Sequence, residues 1–174
     1  MQIQEAIDLI RFTSTKDKIQ TWADLGCGDG LFTRALTSFL PEESSIHAID
    51  LNEKTIREIP DSYNGVSIKK SVLDFTSDSL VLDRMDGIMM ANSLHYVKEK
   101  APFLKRMIES LNTGGYFLLV DYDMKRVNRW VPYPLEIASA EELFLYCGAQ
   151  SFKILNKRKS VFGDQWMYAA LIVR

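Results

Sequence analysis

The chain has 174 residues, 47% hydrophobic and 25% charged, which suits one globular domain (1–174) with a sizeable core. Its 21 Lys and Arg against 23 Asp and Glu leave a net charge of −2, so no global field favours nucleic acid or an anionic membrane as partner. Cys27 and Cys147 stand far apart, outside any CxxC pair, and form no zinc-like spacing with His47 and His95, so neither a disulfide nor a metal site is expected.

The first segment, MQIQEAIDLIRF, carries acids early and lacks a long apolar stretch with a cleavage site, so it does not read as a signal peptide. The longest apolar runs, such as YAALIV at 168–173, are too short to span a bilayer. A cytoplasmic, reducing setting is the expectation. Residues 1–20 are expected to hold an N-terminal helix that either closes as a small amphipathic lid or leaves an open pocket for a dimer partner or a larger substrate to complete; residues 21–174 form the core.

From residue 21 onward, short apolar runs alternate with amphipathic stretches, the pattern of βαβ units and a parallel sheet. Strands are expected at 21–25, 46–50, 66–70, 86–91 and 115–121. The helix over 30–40 places Leu31, Ala35, Leu36 and Phe39 on one face and stops at Pro41. Shorter and longer helices follow at 53–59 and 98–111, the second ending before Asn112 and Gly114. Beyond Asp121 comes a Pro- and aromatic-rich stretch, RWVPYPLEI (129–137), then a helix from Ser139. Ser139 and Glu142 read as its capping box and Gly148 as its stop.

Two strand-like runs, 150–157 and 165–174, close the chain. Their connection, RKSVFGD, is too short for a crossover helix, so they should pair antiparallel. The basic cluster NKRKS reads as a solvated hairpin end. The expected fold is α/β: a Rossmann-like seven-stranded sheet, mostly parallel with an antiparallel C-terminal hairpin and helices on both faces. In such sheets ligands bind beyond the carboxyl ends of the strands.

That is where Gly26, Gly28 and Gly30 lie, in WADLGCGDGLF, between a strand and a helix. Such a loop allows close backbone approach, and the helix start offers unpaired N–H groups. A dinucleotide fingerprint would place its third glycine where Leu31 stands, and Asp24 and Asp29 add negative charge where a pyrophosphate would sit. No Gly-Lys-Ser/Thr follows, which excludes a P-loop. The loop suits a nucleoside without a pyrophosphate. Asp50, ending the next strand, can accept hydrogen bonds from both hydroxyls of a ribose.

DLGCGDG followed by AIDLN resembles the class I S-adenosylmethionine-dependent methyltransferases, closest to the small-molecule type. SVLDF (71–75), MDGIMMANSLHYV (85–97) and LNTGGYFLLVDYD (111–123) resemble further motifs of that family, in the expected order. The resemblance covers about residues 20–173 and implies S-adenosylmethionine as cofactor. By that resemblance Asp24, Gly26, Cys27, Gly28 and Gly30 form the loop around its methionine part, Asp24 helping to anchor the amino group and Cys27 standing as a passive small residue. Asp50 would hold the ribose and Leu51 cover one face of the adenine. Asp74 and Phe75 would read the adenine edge, and Asn92 would supply a carbonyl near the methionine portion.

The implied reaction is an in-line displacement in which the cofactor carries the hard chemistry. A general base helps only where the acceptor must lose a proton, and His95, just after the fourth strand, is the candidate. Tyr96, Tyr122, Arg129, Trp130 and Tyr133 are the candidate residues for a small-molecule acceptor, aromatics for stacking and Arg129 for an anion. ANSLHY replaces the Asn/Asp-Pro-Pro-Tyr/Phe of nucleic-acid amino-methyltransferases, and no Pro-Cys nucleophile occurs there. The rival expectation is a methyltransferase-like protein that binds the cofactor or a partner without turnover; a homodimer is compatible with either.

Overall fold

The computed structural model describes residues 1–13, 18–160 and 165–174. Its strands are β1 (Thr21–Leu25), β2 (Ser45–Asp50), β3 (Ser62–Tyr63), β4 (Val66–Val72), β5 (Met85–Ala91), β6 (Leu111–Asp123), β7 (Ser151–Lys159) and β8 (Trp166–Val173). Its helices are α1 (Ile3–Leu9), α2 (Leu31–Thr37), α3 (Glu53–Arg57), α4 (Lys100–Glu109) and α5 (Ile137–Tyr146). The strands form one sheet in the order β3-β4-β2-β1-β5-β6-β8-β7. From β4 through β6 the pairs are parallel, and β8 runs antiparallel to both β6 and β7.

This is the expected α/β architecture with one added strand, so the sheet has eight strands rather than seven. Asn64 and Gly65, at φ 50° and 75°, make a two-residue turn that folds Ser62–Tyr63 back on Val66–Ser67. The antiparallel register expected for the last two runs is present, with Ser151 opposite Val173 and Lys159 opposite Trp166. Residues 161–164 of their connection lie outside the described residues.

Two boundaries differ from the sequence reading. The last helix starts at Ile137, two residues before Ser139, because its first N–H is taken by the Asp123 carboxylate (3.1 Å) at the end of β6. A tertiary cap therefore replaces the local capping box. The helix before Asn112 and Gly114 ends at Glu109, as expected, but β6 begins already at Leu111 rather than at 115. Met85 pairs with Leu111 and Gly87 with Tyr116, so the intervening residues bulge from the strand.

The sheet is covered on both faces. Phe103, Leu104, Met107 and Ile108 of α4 and Ala140 and Phe144 of α5 pack with Ile88, Met90, Phe117 and Leu119. On the other face α1 and α2 bury Ala6, Leu9, Phe32, Ala35 and Leu36 with Trp22, Ile46, Met89 and Leu118. Ile56 and Ile59 extend that face over Ala48 and Ile68. Strand order reverses between β1 and β5, the switch point at which open α/β sheets form a crevice.

Trp22 is fully buried on β1 and lies flat over Gly87, its register partner on β5. A Cβ at Gly87 would come within 2.3–2.4 Å of the indole. Gly87→Ala should therefore cost about 1–3 kcal/mol of stability, read as a lower urea midpoint at unchanged slope. An unchanged midpoint would show that the indole can shift aside.

Candidate active site

The carboxyl ends of β1 and β5 are fastened together at the switch point. The Ser93 hydroxyl donates to the Leu25 carbonyl (2.6 Å), and both Gly26 and Cys27 N–H donate to the Ile49 carbonyl (2.8 and 3.1 Å). Gly26 takes φ 78°, and a Cβ there would stand 2.5 Å from the Ser93 Cβ. Only glycine meets both demands. Gly28 N–H donates to Asp50 Oδ2 (2.8 Å), and Asn52 N–H donates to Asp50 Oδ1 (2.8 Å). The carboxylate thus clamps the loop while each oxygen keeps a second lone pair.

A cleft of about 410 Å³ opens beside this loop, lined by Asp24, Gly26, Cys27, Gly28, Asp29, Leu31, Phe32, Asp50, Ala91, Asn92, Tyr96, Tyr122, Arg158 and Ser160 among others. It continues past Gly26 and Asp50 into a groove of about 370 Å³ against Leu51, Asp74, Phe75 and Ser93. Leu51 is 63% exposed there, so it is not part of the core. Asp74 Oδ1 accepts from the Thr76 N–H (2.8 Å) and hydroxyl (2.7 Å), which sets the turn that brings Phe75 against Gly26.

Asp24 is fully buried; Thr33 Oγ1 donates to its Oδ2 (2.6 Å), and its Oδ1 has no partner among the described residues. Burial, opposed by the Thr33 bond and aided by the Asp50 charge, pushes its pKa up to about 7. Asn92 sits at φ 55°, a conformation uncommon for a residue other than glycine, and its buried Oδ1 also finds no partner among the described residues. Burial, with the Asp24 and Asp50 charges, raises the Cys27 thiol well above its usual range, which fits a passive residue.

A second cavity of about 410 Å³ adjoins the cleft, sharing Asn92, Tyr96 and Tyr122 with it. His95, Met124, Asn128, Trp130, Val131 and Gln165 complete its lining. His95 is buried in the 3₁₀ turn Leu94–Tyr96, and its Nδ1–H donates to Asp121 Oδ1 (2.7 Å), a residue equally buried on β6. Asp121 Oδ1 also accepts from the Tyr122 N–H (2.8 Å). Asn128 Oδ1 accepts from the N–H groups of Trp130 and Val131 (2.8 and 2.9 Å), a local turn that holds the indole at the pocket rim.

Not every sequence candidate reaches these cavities. Gly30 begins α2, but a Cβ there would meet Ile59 at 2.8 Å, so its lack of a side chain serves packing against the 53–59 segment. Tyr133 donates its N–H to the His95 carbonyl (3.0 Å) and lines a separate groove with Lys98, Glu99 and Pro102. Arg129 lies over the Trp130 ring at 5.6 Å, on the surface. The sequence reading missed Arg158, which belongs to the supposedly solvated basic cluster, and the pairing of Asp121 with a histidine 26 residues away.

Asp24 gives the site a pH signature. Its unfolded-state pKa is near 3.8 and its folded value about 7, so between those values the unfolded chain has lost a proton that the folded protein keeps. Stability should fall as pH rises through that window, by at most about 4 kcal/mol. Asp24→Asn keeps the Thr33 bond and cannot ionise. It should match the ligand-free wild type at pH 4 and exceed it by about 1–3 kcal/mol at pH 8 in thermal melts. Equal differences at both pH values would contradict the assignment.

Residues 23–115 match the methyltransferase domain model, more than half of the chain. The biotin biosynthesis bifunctional protein BioHC of Teredinibacter turnerae is 26% identical over 108 residues, 58% of this chain but 19% of that protein. The Haemonchus contortus phosphoethanolamine N-methyltransferase 2, solved with phosphomonomethylethanolamine and S-adenosylhomocysteine, is 14% identical with a TM-score of 0.72; the match covers 98% of this chain and 52% of that one. An arsenic(III) S-adenosylmethionine methyltransferase from Chlamydomonas reinhardtii is 13% identical with a TM-score of 0.67, over 98% and 72% of the two chains. Plantazolicin methyltransferase BpumL, solved with S-adenosylhomocysteine, is 15% identical with a TM-score of 0.70, over 99% and 84%. The chain belongs to the methyltransferase domain family and spans about a fifth of the length of the curated relative it matches.

Proposed function

We propose that the protein methylates a small molecule seated in the cavity beside His95, with S-adenosylmethionine in the adjoining cleft. The buried His95–Asp121 pair, with His95 in the wall of the cavity that adjoins the cleft, carries this reading. The cofactor supplies an electrophilic methyl carbon. Asp50 receives the ribose hydroxyls on its spare lone pairs, without releasing the loop that it clamps. Leu51 covers an adenine face, Asp74 and Phe75 meet its edge, and Gly26, Gly28, Asp24 and Asn92 surround the amino-acid chain.

Asp121 is a positioning residue. By accepting the Nδ1–H it fixes the tautomer and leaves Nε2 as the basic nitrogen. The chemistry this suits is proton removal from a hydroxyl, an ammonium or an acidic carbon of the acceptor. Tyr96, Tyr122 and Trp130 offer aromatic surface to a largely apolar acceptor, and Met124 and Val131 exclude water from the same cavity. The size of the cavity supports a small-molecule acceptor.

A screen of phenols, alcohols, amines and carbon acids, followed by S-adenosylhomocysteine release, tests this reading. A small molecule should turn over. His95→Gln should lower its kcat about a hundredfold or more while the affinity for S-adenosylhomocysteine stays unchanged, and Asp121→Asn should act in the same direction. Wild-type kcat in His95→Gln would remove the base. Turnover confined to a protein or nucleic acid would overturn the small-molecule reading.

A further inference from the structure

The net charge of −2 is unevenly spread. Residues 125–130, KRVNRW, are all exposed in the connection from β6 to α5, whose Asn128 and Trp130 also line the His95 cavity. Val127 is 68% and Trp130 71% exposed, so two large apolar side chains stand in water beside two arginines and a lysine.

The turn that presents them closes on itself. Asn128 N–H donates to the Val131 carbonyl (3.2 Å), while Asn128 Oδ1 accepts from the N–H groups of Trp130 and Val131. Val131 is buried, and the Tyr133 N–H fastens the chain to the His95 carbonyl. Holding an indole outward buries none of its apolar surface in the fold. A tip whose backbone polar groups are already paired is what entry into an apolar interface requires.

The free charges around this tip are cationic. Lys125 takes Glu136 (3.1 Å), and Asp123 caps α5. Arg126, Arg129, Lys157 and Lys159 enter no ion pair among the described residues. Asp123, where the segment leaves β6, pairs with the exposed Trp166, and Trp166 pairs with Lys159. A fault in β7 brings the lysines to that side. Ile154 pairs with Ala170 and Asn156 with Ala169, so Leu155 is bulged out of register and the alternation inverts. Asn156 Nδ2 then donates to the Asp8 carbonyl (2.8 Å) and Arg158 Nη2 to Glu5 (2.9 Å) on the α1 side, which leaves Lys157 and Lys159 on the face of Trp166.

We infer that residues 125–130 dock the protein on an anionic lipid surface. Val127 and Trp130 enter the interface, and Arg126, Arg129 and Lys159 meet lipid phosphates. The His95 cavity, which shares Asn128 and Trp130 with this tip, then opens at the lipid surface. Lipid fits better than a nucleic acid, because the aliphatic Val127 and the self-paired turn offer nothing to bases.

Flotation of the full chain with vesicles tests this. The protein should float with phosphatidylglycerol–phosphatidylcholine vesicles at low salt, release as salt rises, and stay behind with phosphatidylcholine alone. Arg126→Glu and Val127→Asp, both outside the lining of the cleft and of the His95 cavity, should each weaken binding roughly tenfold or more at an unchanged melting temperature. Lipids brominated in their acyl chains should quench the wild-type emission, and Trp130→Phe should lose most of that quenching. A wild type that does not float at low salt overturns the inference. So does flotation that both variants keep, which would place the contact elsewhere, and so does binding to single-stranded RNA in place of vesicles.

Discussion

The hydrogen bond from Ser93 to the Leu25 carbonyl closes the ends of β1 and β5 onto one another, and the rest of the site is arranged around that closure. It leaves no room for a side chain at residue 26 and turns Asn92 into the left-handed region. The chain then enters the short turn that carries His95, directly over Asp121 of the neighbouring strand. A backbone constraint at the switch point of the sheet thereby places the cleft and the His95 cavity side by side. The two share Asn92, Tyr96 and Tyr122 as a common wall.

The cleft concentrates features that folding alone would remove. Asp24 is a fully buried carboxyl with one satisfied oxygen, Asn92 holds an uncommon backbone conformation, and a guanidinium nitrogen of Arg158 is buried without a partner among the described residues. Each costs stability in the isolated protein, and each is offset elsewhere by a well-packed sheet whose central strands are buried on both faces. Such local conflicts gather where a ligand supplies the missing half of the interaction. They also set the polarity of the cleft, which has carboxylates along the glycine loop and Arg158 in its lining.

Much of this was legible in the sequence. Alternating apolar and amphipathic runs located the parallel strands and most helices, and the glycine spacing with Asp50 pointed to a nucleoside without a pyrophosphate. The strand β3 carried a usable signal, since Asn64-Gly65 between extended residues is a hairpin turn. The start of α5 was hidden because its cap, Asp123, comes from another strand. Gly30 and Tyr133 illustrate a different limit: their positions in the loop and the aromatic segment were read correctly, yet Ile59 and Lys98–Pro102 face them rather than the cavities. Asp121 and Arg158 needed tertiary information, one a pairing across 26 residues, the other a bulge that inverts the strand's alternation.

The most direct test of the account is a crystal structure of the protein grown with S-adenosylhomocysteine. It should place the ribose hydroxyls on Asp50, the adenine between Leu51 and Phe75, and the sulfur facing the cavity that holds His95. A ligand bound elsewhere, or one whose sulfur points away from His95, would contradict it.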